Sequence, residues 1–77
     1  MKLNEFISHL KHKNIKINIR RFYETDKGLL DAKTVYEGTV GTYLTSVIKS
    51  KIYDINISNI TPEESNGFVI HLEGIDK

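Results

Sequence analysis

Isoleucine occupies every second position from Ile15 to Ile19, with Lys16 and Asn18 between and Arg20 directly after. A period of two built from β-branched residues belongs to a strand with one face dry and the other wet. This alternation constrains the chain more than any other feature, because a dry sheet face must be covered by something. The chain has 77 residues, 39% of them hydrophobic. That suffices for one core, so residues 1–77 are expected to form a single small domain with little material left for a deep, walled substrate chamber.

The cover is legible at the N-terminus. Leu3, Phe6, Ile7 and Leu10 stand at i, i+3, i+4 and i+7, one stripe of a helix. The spacing predicts a helix over residues 3–12, with Asn14 as a left-handed stop. After the alternating strand, Arg20 and Arg21 push Phe22 out of phase with Ile19, which predicts a bulge or the strand's end. "ETDKG" is turn chemistry, with Gly28 able to take positive φ, and "AKTVYEG" is a second strand antiparallel to the first.

Two readings of "TVGTYLTSVI" are open: a helix capped by Thr39 or Thr42 with Tyr43, Leu44, Val47 and Ile48 on one stripe, or a continuing strand. In "KIYDINISNI", Tyr53, Ile55 and Ile57 alternate with Asp54, Asn56 and Ser58. "TPEESNG" is a turn, and "FVIHLEG" a closing strand with Phe68, Ile70 and Leu72 on one face and Val69, His71 and Glu73 on the other. The expected fold is therefore α+β in the order α-β-β-α-β-β: a four-stranded, mostly antiparallel sheet with two helices packed on one face. Ile15, Ile17, Ile19, Val35, Ile55, Ile57, Ile70 and Leu72 would meet Phe6, Ile7, Leu10, Leu44 and Val47. Lys16, Asn18, Arg20, Asp54, Asn56 and His71 would face water. The two halves echo each other weakly, as a repeated α-β-β unit or as chance likeness among Ile- and Lys-rich segments.

Catalytic signatures are thin. Gly38-Thr39-Val40-Gly41 lacks the Lys-Ser/Thr of a P-loop and the third glycine of a dinucleotide loop, and is read as a tight strand-to-helix corner. His9 and His12 form H-x-x-H, too few ligands for a tetrahedral zinc site, and are read as solvent-facing. His71 is read as an ordinary exposed histidine. Glu63-Glu64 sits in a turn, where neither carboxyl has the apolar surroundings a catalytic acid needs. No serine has a base and an orienting acid placed beside it by any motif. The chain contains no cysteine, which removes disulfides and thiolate chemistry. No enzyme, cofactor or metal is expected. No apolar run approaches the roughly 20 residues of a membrane span, and a cytoplasmic location is expected.

Charge is uneven. Residues 1–23 carry six basic side chains against Glu5 alone, whereas residues 24–77 carry five against nine acidic ones. Lys13, Lys16, Arg20, Arg21 and Tyr23 are the candidate partner-binding residues: the cations would steer and hydrogen-bond, and the tyrosine would anchor. A merely solvated strand face, an acidic protein partner and nucleic acid are the three readings of this segment. Helix-turn-helix, zinc-finger and RNP patterns are missing from it.

"VYEGTVGTYL", followed by "IYDINI", a turn and "FVIHLEG", resembles small accessory proteins of phages and mobile elements of low-GC Gram-positive bacteria, anti-CRISPR inhibitors among them. The resemblance covers residues 34–74 and carries over no functional residue. It implies a non-enzymatic, phage-encoded modulator that inhibits a host defence nuclease by stoichiometric binding. DNA-mimicking inhibitors are strongly acidic and this chain is not, so mimicry is not the implied mechanism. The alternative is a small nucleic-acid-binding domain using the basic N-terminal strand face.

Overall fold

A computed structural model describes residues 1–63 and 66–76. The elements are α1 (Leu3–Ser8), β1 (Lys16–Glu24), β2 (Leu30–Thr39), α2 (Val40–Leu44), α3 (Lys49–Ile52), β3 (Ile57–Glu63) and β4 (Gly67–Asp76). The domain is α+β, with a four-stranded mixed sheet and three short helices, where two helices were expected. The strand order is β2-β1-β4-β3. β1 pairs antiparallel with β2 and parallel with β4, and β3 pairs antiparallel with β4. If the chain were two equivalent α-β-β units, β1 and β3 would hold equivalent places. One is central and the other an edge, so the echo has no counterpart in the sheet.

The isoleucine alternation works as its period dictates. Ile17 and Ile19 on β1 join Ile70 and Leu72 on β4, and all four are buried. Above them lie Leu3 and Ile7 from α1, Val40 and Tyr43 from α2, and Ile52 from α3, forming one cluster. Fully burying one such aliphatic side chain stabilises the fold by about 1.5–3 kcal/mol.

Three local expectations are corrected. First, α1 ends at Ser8 rather than residue 12, and Asn14 does not take positive φ. His9 and Leu10 continue only as single turns, donating to the Phe6 and Ile7 carbonyls. Second, the second helix breaks into α2 and α3. Thr45, Ser46 and Ser50 each turn their hydroxyl back onto the carbonyl three residues earlier, bonds that compete with helix continuation. The break throws Leu44 and Val47 outward, 37% and 79% exposed, while Ile52 takes the core position. Third, Tyr53–Ile55 do not enter the long ladder, and Asn56 touches it only through its carbonyl, which accepts from the Glu73 amide. Leu3 and Asn4 donate to the Ile55 and Tyr53 carbonyls, and Ile57 donates to Met1. This segment satisfies the first amides of α1 instead, and β3 starts only at Ile57. Pro62 lies within β3, an edge strand, where its missing N–H is tolerated. Glu64 and Ser65, part of the expected turn and of the Glu63-Glu64 pair, lie outside the described residues.

The glycine corner is structural. Thr39 caps α2, exchanging hydrogen bonds with Thr42. Val40 N–H donates to Ile15, and Gly41 N–H to Lys13 at 2.8 Å. A Cβ on Gly41 would stand 3.2 Å from that of Lys13. The amides that a phosphate would use are thus already taken by protein oxygens.

Candidate functional site

The helices cover one sheet face and leave the other open. On β1 the open face is Lys16, Asn18, Arg20 and Phe22, the alternates of Ile17 and Ile19. Cross-strand register brings Thr34 and Glu37 of β2 beside Arg20 and Asn18, and His71 and Val69 of β4 on the other side. Asn59 and Thr61 of β3 pair with His71 and Val69.

Two environments adjoin there. Over β1 and β2, Arg20 donates to Thr34 Oγ1 and to the Ala32 carbonyl, both at 3.3 Å. Thr34 Oγ1 donates to Asn18 Oδ1 at 3.2 Å, and Asn18 Nδ2 donates to Glu37 Oε2 at 3.3 Å. This polar ladder holds the Arg20 guanidinium along the sheet. Over β4 and β3 the surface is built around an aromatic pair. The Phe22 ring meets the His71 ring edge-on, with centroids 4.5 Å apart, and is itself 42% exposed. Beside them is a shallow depression of about 370 Å³, walled also by Val69, Thr61, Asn59 and Ser58. His71 is half-buried rather than fully exposed, and its Nε2 is buried with no hydrogen-bond partner among the described residues.

The bulges aim these side chains. β1 and β2 shift register between Ile19 and Arg20, and β1 and β4 between Arg20 and Phe22. The extra β4 residues let Phe22 lie opposite Ile75 while its ring reaches back to His71. A bulge that redirects side chains is a common device next to binding sites.

The five residues singled out from sequence do not share one surface. Lys16 and Arg20 are on the open face. Arg21 and Tyr23, of opposite parity, are on the helix-bearing side, beyond the helices. There Arg21 Nε donates to the Glu73 carbonyl at 2.9 Å and its guanidinium lies 3.8 Å from Asp76. Lys33 pairs with Asp76 at 2.7 Å and sits over the Tyr23 ring at 5.4 Å. Lys13 is in the loop before β1, held by the Gly41 contact. The parity rule itself separates Arg20 from Arg21, since adjacent strand residues point to opposite faces. Phe22, Val69, Asn59 and Thr61 were not singled out. Phe22 is in phase with Arg20, the one signal that would have found it.

The open face is not strongly cationic either. Lys16 and Arg20 share its parity with Glu24, Glu37 and, through the Gly67 pairing, Glu63. No family model, curated protein or solved structure matches the chain. Among the described residues no helix is long and apolar enough to cross a membrane.

Proposed function

We propose that this protein is a non-catalytic binding module that works by occupying a partner protein's surface through its uncovered sheet face. In its biological form this is a phage-encoded inhibitor that binds a host defence nuclease stoichiometrically. The observation that carries the binding reading is the Phe22–His71 pair: a half-exposed aromatic towards the end of β1, on the same face as Arg20 and bordered by Val69, Ser58, Asn59 and Thr61. An aromatic anchor and an arginine inside a polar surround is the composition of an interface hot spot. The assignment to phage defence rests on the resemblance of residues 34–74 alone.

Nucleic acid is the second reading, because bases stack on exposed aromatics of open sheets. The glutamates at the rim weigh against it, since a phosphate backbone needs a cationic track. The same mixed charge replaces the expected acidic partner surface with one that is apolar at its centre and polar around it.

The test is capture from host lysate by the tagged chain and by its Phe22→Ala and Arg20→Glu variants. One protein retained in equimolar amount by the wild type and lost by both variants supports the reading. Retention unchanged by both variants overturns it. Affinity for single-stranded DNA or RNA that collapses with added salt moves the assignment to the second reading.

A further inference from the structure

On the helix side, away from Phe22, a groove of about 360 Å³ runs between the end of α1, α2 and the start of α3. Three lysines converge on it from separate parts of the chain: Lys11 and Lys13 from the loop after α1, and Lys49 from α3. None of its described lining residues is acidic. Leu10 and Leu44 give it apolar walls.

Tyr43 also lines the groove. It is 1% exposed, and its hydroxyl has no hydrogen-bond partner among the described residues. A phenylalanine would fill the same core space, with the same edge contact to Tyr36, without an orphaned polar atom. Leaving a buried hydroxyl unpaired costs about 1–3 kcal/mol. Burial pushes its pKa up to about 12, so the group is a neutral donor at neutral pH. Leu44, 37% exposed, stands on the groove wall next to Tyr43 in the chain, and a bound head reaches the hydroxyl only if that side chain turns aside.

We infer that this groove is a binding site for an oxyanion head, phosphate monoester or carboxylate, carried on an apolar stem. The lysines draw in the head, the Tyr43 hydroxyl donates to it, and the stem lies between Leu10 and Leu44. The volume lies within the range of small-ligand sites, and lysine acts on either head as a point charge. The inference does not depend on the sheet-face reading.

The test is a titration of the full chain, followed through its backbone amide resonances, with phenyl phosphate, benzoate and neutral benzyl alcohol. Phenyl phosphate or benzoate is expected to shift the resonances of residues 10–13 and 40–49 with a Kd of about 1 mM or tighter. The tighter of the two names the head group. Benzyl alcohol is expected to leave these resonances in place. Tyr43→Phe is expected to weaken binding about tenfold with the fold intact. Replacing Lys11, Lys13 and Lys49 together by Gln is expected to abolish it. No shift with either anion up to about 20 mM, well above that Kd, overturns the inference. So does an equal response to benzyl alcohol, or undiminished binding by Tyr43→Phe.

Discussion

The two faces of the sheet are written in the same strands, one residue out of step. On the covered face Ile17, Ile19, Ile70 and Leu72 are sealed by three helices. On the open face their neighbours Asn18, Arg20, Val69 and His71 remain partly accessible, stitched by a side-chain ladder and one aromatic pair. The covered face has volume constraints on every side. The open face has hydrogen-bond constraints but no roof. Stability should therefore be concentrated on one face and recognition on the other.

The largest expected effect tests that division. Ile19→Ala should lower the unfolding free energy by about 2–5 kcal/mol, against less than about 1 kcal/mol for Val69→Ala, measured by urea denaturation. Equal losses would break the contrast. Next comes the seam between the central strands. A Cβ at Gly67 would stand 2.6 Å from the Lys16 carbonyl oxygen, and backbone cannot yield cheaply. Gly67→Ala should destabilise by up to about 3 kcal/mol and broaden the resonances of both faces together.

The third prediction isolates Tyr43 beneath the helices. Its pKa is raised from 10.0 to about 12 by burial. Between those values the unfolded chain has released the phenolic proton and the folded chain still holds it. Stability from this group is therefore full below pH 10 and is lost as pH rises through about 12, on the order of 2 kcal/mol. Tyr43→Phe should flatten that part of an alkaline denaturation curve. The smallest effect is on the open face: Phe22→Ala should reduce stability by about 1 kcal/mol, the scale of one aromatic pair, while removing partner capture. A loss of several kcal/mol would show that Phe22 is core rather than contact surface.

Much of the covered face was legible because its signals are local. Ile17 and Ile19 follow period two, Leu3 and Ile7 a helical stripe, and Thr39 a capping pattern. What escaped was set by distant or competing bonds. The broken second helix depends on serine and threonine hydroxyls choosing backbone carbonyls. The lost strand residues Tyr53–Ile55 are claimed by the N-terminal segment through Leu3 and Asn4. The parallel pairing of β1 with β4 joins residues about fifty positions apart, and no short window of sequence reports it. The candidate site suffered most: parity alone divides Arg20 from Arg21, but the meeting of Phe22 with His71 needs the bulge and the long-range register together.

That register also fixes an order of events during synthesis. β4 is the last of the four strands to be made, yet it lies second from one edge, between β1 and β3. Until it emerges, the nascent chain holds one hairpin with a bare flank, and β3 has nothing to lie against. Assembly is thus withheld until residues 67–76 arrive, and a chain halted before them would present an unpaired strand edge to its neighbours.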